Sequence, residues 1–303
     1  HVFRSPKVTD PLTEIVMLLQ PQARFSKVVS GAGAWRIYRP ESGQPFYCVI
    51  LKGFCHIEVN GQDKIDLKKD DFVLIPSVCG FAMSSLDSPS TLPETTPVAV
   101  GNGEFRLGVQ DGSADVSYLV GHCAFGSLDS TLLVSLLPQV VHIRDQHRLG
   151  TLVQLVRDES CEKRPGREAI LSRLLEVLFI EALRFSDSDL NGSGLIRGLA
   201  DERIGAAIRK MHENINHSCT VATLAKEAAL SRSAFFERFS RTVGIAPMEY
   251  LLTWRMALAK NLLRQTKKGI SEIAEHVGYA SASAFSVAFT RHVGQSPSSY
   301  ARG

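Results

Sequence analysis

The sequence predicts an α+β chain of two domains, a strand-rich first half followed by helices that end in an all-α domain. Three observations carry that expectation. The first half offers short runs rich in Val, Ile, Phe and Tyr, "AWRIYRP", "PFYCVILKG", "FCHIEVNG" and "DFVLIPS", broken by Gly, Pro, Asn and Asp at intervals of roughly ten residues, the spacing of a sandwich or barrel. From about Ser130 the apolar period becomes helical. Near the C-terminus two windows, "AFFERFSRTVGIAPMEY" from Ala234 to Tyr250 and "AFSVAFTRHVGQSPSSY" from Ala284 to Tyr300, share eight of seventeen positions.

Taken in order, Asn60-Gly61 between two alternating runs is a hairpin signal, because both positions tolerate positive φ. Ser84 to Gly103 is punctuated by Pro, Ser, Thr and Gly and reads as a loop, and strand character returns at "VSYLVGHCAF". Leu132, Leu133, Leu136 and Leu137, then Leu149, Leu152, Val153, Leu155 and Val156, continue at helical spacing. After "RPG", Ile170, Leu171, Leu174, Leu175, Leu178 and Ile180 form an apolar stripe, which either packs on its own barrel or forms a homodimer seam. "FSDSDLNGSG" has the composition of a flexible linker.

Within the repeat, Phe235, Phe239 and Val243, like Phe285, Phe289 and Val293, are spaced four apart and share one helical face, the core face. Gly244 and Gly294 stand where a helix needs a left-handed C-cap, and Pro247 and Pro297 begin the next helix. Upstream of each window lies a short amphipathic helix, "TVATLAKEAAL" and "GISEIAEHVGYA", with Thr220 and Ser271 as expected caps; Ser231 and Ser281 cap the helices that follow. Helix, tight turn and capped helix make a helix-turn-helix unit, whose second helix can enter a DNA major groove. The chain encodes two, about 220–243 and 270–293. Between them "MEYLLTWRMALAKNLLRQ" reads as one continuous helix, long enough to hold two such helices roughly one DNA turn apart.

Composition agrees. The 303 residues, 44% hydrophobic, suffice for two cores. From Gly198 onward fourteen Lys and Arg face eight Asp and Glu, a balance of +6 against −3 for the residues before it, so the basic end is also the repeated end. No apolar run approaches the length of about eighteen residues a membrane span needs, which gives the expectation of a soluble, cytoplasmic protein with no membrane partner. Six cysteines without C-x2-C spacing read as small buried hydrophobes in a reducing compartment.

On "LAKEAALSRSAFFERFSRTVGIAPMEYLLTWRMALAKNLL" and "ISEIAEHVGYASASAFSVAFTRHVGQSPSSY" the sequence resembles the AraC/XylS family of transcription regulators, and on "LPQVVHIR" and "RPGREAILSRLLEVLFIEALR" the branch with a cupin-like N-terminal effector domain. The resemblance implies a cupin-like sensor barrel over 1–128, a helical dimerisation or connecting segment over 129–186, a linker over 187–198 and a DNA-binding domain over 199–303. It implies double-stranded promoter DNA, RNA polymerase and a small-molecule effector as partners, a homodimer, activation of transcription, and no cofactor. Carried over residue by residue, the DNA-facing positions are Ser231, Arg232, Ser233, Phe236, Glu237, Arg238 and Arg241 in the first unit, and Ser281, Ala282, Ser283, Ser286, Val287 and Arg291 in the second. Arg and Glu suit guanine and cytosine edges and Phe a thymine methyl, whereas the second set is short and poorly equipped for paired hydrogen bonds. Arg238, Arg241 and Arg291, with Lys267 and Lys268, suit phosphate.

Two rivals are kept. Cupin enzymes hold a metal on converging His and carboxylate groups. Here no His-x-His stands near "GQPFYCVILKG", no His follows "DDFVLIPSVCG" closely, and His56, His122, His142 and His147 read as structural, so the expectation is no metal and no enzyme; the rival is a metal-dependent cupin oxygenase fused to helices. The other is a redox-switched regulator sensing oxidants through Cys48, Cys55, Cys79 or Cys123, which requires an exposed, stabilised thiolate.

Overall fold

The computed structural model describes residues 10–60, 63–77, 79–88, 93–101, 103–126, 133–162, 164–185, 194–216, 219–266 and 268–302. They form two compact units, one of Gln20–Gly126 with Pro138–Asp189, the other of His1–Leu19, Ser127–Leu137 and Leu190–Gly303.

The first unit is a two-sheet barrel. Its strands are β1 (Pro21–Ala32), β2 (Arg36–Arg39), β3 (Phe46–Lys52), β4 (Phe54–Val59), β5 (Ile65–Lys68), β6 (Phe72–Ile75), β7 (Phe81–Ser84), β8 (Val98–Gly101), β9 (Glu104–Gly108), β10 (Val116–Phe125) and β11 (Val141–Ile143). Seven pair in the order β11-β6-β3-β10-β1-β9-β8 and four in the order β2-β7-β4-β5. All pairs are antiparallel except β1 with β9. The expected loop Ser84 to Gly103 is interrupted by β8, an edge strand whose residues are all exposed, so it lacks the one-sided apolar pattern that marks a half-buried strand.

Alternation sets the interior. In β4, Cys55, Ile57 and Val59 are buried while Phe54, His56 and Glu58 face outward. β3 is buried on both faces over Phe46–Ile50, because Phe46, Cys48 and Ile50 join the interior cluster with Trp35, Tyr118 and Met83 while the opposite face lies under helices. The centre of the barrel is therefore filled by side chains.

Helix α2 (His147–Cys161) packs on β1, β3 and β10, and α3 (Arg167–Phe185) on α2, β1 and β11. Leu171, Leu175, Leu178 and Phe179 are buried, so much of the apolar stripe is satisfied within the unit, while Ile170 and Val177 stay exposed. Arg167 ties the two helices together, donating from Nε to the Glu159 carbonyl at 3.2 Å and from Nη2 to that of Ser160 at 3.1 Å.

The second unit is helical: α1 (Pro11–Leu19), α4 (Leu195–Ala200), α5 (Glu202–Glu213), α6 (Val221–Glu227), α7 (Arg232–Val243), α8 (Pro247–Gln265), α9 (Ile270–His276), α10 (Ala282–Val293) and α11 (Pro297–Tyr300). The expected linker lies outside the described residues up to 193, and from Leu195 the chain is helix, bonded by its Leu195 amide to the Leu136 carbonyl. The expected domains place α1 within 1–128 and residues 133–137 within 129–186; by their contacts both group with the helical unit. Burial of Leu12, Ile15, Val16 and Leu19 against α5 and α8 is the cause for α1. At that seam the buried His212 hydrogen-bonds Glu14 through Nδ1 at 2.7 Å and the Tyr250 hydroxyl through Nε2 at 2.8 Å, and stacks on Trp254 at 4.2 Å.

Candidate nucleic-acid interface

Each repeated window builds the same device. The Thr220 side chain accepts from the Thr223 amide and starts α6; Ser231 accepts from the Ala234 amide at 3.3 Å and starts α7. In the second copy Ser281 accepts from the Ala284 amide at 3.1 Å and starts α10. α9 differs from expectation, since Gly269 and not Ser271 occupies its N-cap, so no side chain caps that helix. Gly244 and Gly294 end α7 and α10 at φ of 91° and 85°, and Pro247 and Pro297 open α8 and α11.

The inward faces are aromatic. Phe235 meets Phe239 at 5.6 Å and Phe239 meets Tyr250 at 5.9 Å; in the second copy the corresponding pairs are Phe285 and Phe289 at 5.4 Å, and Phe289 and Tyr300 at 5.5 Å. These pairings fix the direction of each second helix, because a rotation would expose two buried Phe rings, at about 1.5–3 kcal/mol each. α8 runs 19 residues and contributes Tyr250, Leu251 and Trp254 to the first unit's core and Met256, Ala259 and Leu263 to the second's. Its length, about 28 Å at 1.5 Å per residue, is close to the roughly 34 Å between successive major grooves on one face of a duplex.

The outward faces carry the candidates. Ser231, Arg232, Ser233, Glu237 and Arg241 are exposed, with Phe236 at 48%. In the second copy Ser281, Ser283 and Arg291 are exposed, Val287 at 68%, while Ala282 and Ser286 are half-buried. Arg238 departs from the rest: its Nε and Nη2 hold Asp201 Oδ2 at 2.8 and 2.7 Å. Asp201 in turn caps α5 through the amides of Arg203 and Ile204. Burial opposes its ionisation, but the Ile204 amide and Arg238 outweigh it and hold the carboxyl below its usual range. Arg238 thus makes a link within the fold as well as standing among the expected DNA-facing positions; nothing in the local sequence announces a partner 37 residues upstream. Lys267 lies outside the described residues, and Lys268 pairs with Glu272 at 2.9 Å.

In the barrel unit Cys48, Cys55 and Cys123 are buried. Burial raises the Cys48 and Cys123 thiols well above their ordinary value and pushes Cys55 up to about 12, so none of the three is a ready thiolate, which opposes their reading as oxidant sensors. Cys79 is half-buried and accepts from Gln139 Nε2 at 3.1 Å. His142 is paired with the buried Asp71 at 3.1 Å. Among the described residues no three His, Cys, Asp or Glu side chains gather as a metal site would need.

A barrel followed by paired, capped helices held on one rigid helix defines a two-domain helix-turn-helix protein. Residues 10–185 match the family model of a cupin domain, and residues 224–303 that of a helix-turn-helix domain. A protein described as an AraC-like transcription regulator of Streptomyces lividans is 32% identical over 298 residues, covering 96% of this chain and 97% of that one. Another so described, from Streptomyces antibioticus, is 32% identical over 302 residues, covering 96% and 98%. Among solved structures, the DNA-binding domain of AdpA in complex with a target DNA is 32% identical, covering 32% of this chain and 88% of that one, with a TM-score of 0.31. The chain belongs to the AraC-like transcription regulators, with a cupin domain ahead of an AraC-type DNA-binding domain.

Proposed function

We propose that the protein is a cytoplasmic activator that binds promoter DNA with sequence preference as a homodimer, under the control of a small-molecule effector held by the barrel unit. The observation that carries the DNA part is the pair of capped helices, α7 and α10, that present polar faces outward from one rigid helix. α7 supplies specificity through Arg232, Phe236 and Glu237; α10, with Ser283, Ser286 and Val287, relies more on apolar contact and shape. The exposed Ile170 and Val177 on α3, with Leu155 on α2, support a dimer face. Effector binding changes how the two DNA-binding units of the dimer are presented, and so whether RNA polymerase is recruited.

The test is selection of bound fragments from genomic DNA by the full chain, followed by affinity measurement across salt. Affinity should fall linearly on logarithmic axes, as expected when phosphate contacts release counterions. Binding that ignores salt would contradict the reading. The redox alternative is weakened by the three buried thiols. The oxygenase alternative predicts stoichiometric iron or manganese in the purified protein, and elemental analysis finding none would overturn it.

A further inference from the structure

At one end of the barrel the interior pattern stops being apolar. β1, β10 and β3 lie side by side, and their inward residues form successive rows: Val29, Tyr118 and Ile50; then Lys27, Val120 and Cys48; then Phe25, His122 and Phe46. The first row belongs to the closed interior, and the last is its end, with Phe25 49% exposed. The His122 ring lies 4.5 Å from Phe25 and 5.3 Å from Phe46. Lys27 Nζ sits 4.9 Å from the Phe105 ring centre and 5.7 Å from that of Phe25. Arg39, two residues beyond the inward Ile37 on β2, pairs in register with Phe81, whose ring is 4.5 Å from Phe46.

Three groups able to carry positive charge therefore surround one aromatic mouth, each half-buried. The side chains of Lys27 and His122 make no hydrogen bond or ion pair with any described residue, while Arg39 Nη1 donates to the Tyr38 carbonyl at 3.2 Å and faces the Glu94 carboxylate at 4.0 Å. Burial, then Arg39, lowers the Lys27 ammonium from its ordinary value; burial, then Lys27 and Arg39, brings His122 down to about 4. A fold that needed only to close its barrel would place apolar residues here. Crowded, partly dehydrated cations beside rings instead leave an electrostatic deficit that an anion relieves, while the rings offer surface to an apolar body.

We propose that this mouth is the effector site and that the effector is a small organic acid, its carboxylate held by Lys27, Arg39 and His122 and its apolar body lying on Phe25 and Phe105. This rests on the effector reading of the barrel and names its chemistry. A neutral sugar or polyol, which needs many paired hydrogen-bonding groups, finds few here.

The test titrates the full chain with benzoate and hexanoate, each against its neutral amide, and with inorganic phosphate, by calorimetry. Each acid should bind at least tenfold more tightly than its amide and than phosphate, and should raise the His122 pKa, read by NMR of labelled histidine. Lys27→Met and Arg39→Met should each weaken acid binding tenfold or more while leaving ligand-free DNA affinity unchanged. Acids no tighter than amides, no binding of either acid at millimolar concentration, or an unmoved His122 titration would overturn the proposal; so would unaltered binding in both variants. Phosphate as tight as the acids would reduce the mouth to an anion site and overturn the organic-acid assignment. Acids that bind here without changing affinity for the selected DNA would keep the site and overturn the effector reading. Amides that alter DNA affinity where acids do not would keep the effector reading and overturn the acid.

Discussion

Ala229 turns the chain between α6 and α7 with a φ of 50°, a left-handed conformation that costs a residue with a Cβ about 1 kcal/mol. In the second copy Gly278 does this work at φ 83°, where an added Cβ would lie 2.3 Å from the Ile215 carbonyl oxygen and 2.5 Å from the Arg255 guanidinium. Chemical denaturation should therefore find Ala229→Gly more stable by up to about 1 kcal/mol, and Gly278→Ala less stable by more than that. Titration supplies a second residue-scale outcome. His122 is neutral in the folded chain until about pH 4, whereas unfolded chains take up its proton near 6.5, so its contribution is complete above 6.5 and is lost as pH falls from there towards 4. His122→Gln should lower the slope of melting temperature against pH across that window. The arginines proposed for the DNA face divide at this scale too. Arg241→Ala and Arg291→Ala should each flatten the salt dependence of binding, by about one unit of slope for every phosphate left unneutralised. Arg238→Ala should leave that slope alone and lower stability, because Arg238 is spent on Asp201.

At the scale of elements, the repeat was legible because its folding residues recur in register: the Phe pairs, the capping Ser, the stopping Gly and the restarting Pro each have a local physical meaning. The outward candidate positions followed from the same periodicity, Arg238 excepted. β1 was not legible, although it is 12 residues long and central to its sheet. Its outward and mouth-facing positions carry Arg24, Lys27 and Ser30, so "PQARFSKVVSGA" shows no clean alternation, and its place depends on partners β9 and β10 far along the chain. The mouth residues share that difficulty, since Lys27 and His122 come together through the pairing of β1 with β10, and Arg39 lies on a strand of the other sheet. α1 was hidden for a related reason: nine residues of ordinary amphipathic helix do not announce that their partners, α5 and α8, lie near the other end of the sequence. Ile15→Ala should cost about 2–5 kcal/mol and destabilise the helical unit, which proteolysis coupled to mass spectrometry would localise.

The whole molecule separates two tasks. The barrel unit has the polar mouth and the exposed α2 and α3 residues; the helical unit has the two capped helices and draws on α1 and residues 133–137 for its core. A segment cut at Gly198 would lack both pieces, so DNA-binding experiments belong on the full chain. If the exposed face of α3 is the dimer seam, Val177→Asp should shift the sedimenting species from dimer to monomer with little loss of melting temperature, because Val177 lies outside the unit's own core.

That one chain reads DNA with two unequal helices is tested by selecting bound sequences from random duplexes with the full chain. Two recognition elements per protomer should emerge about one helical turn apart, with Glu237→Ala altering preference in one and Val287→Ala in the other. Enrichment of no sequence, or one element altered equally by both substitutions, would contradict two-helix reading.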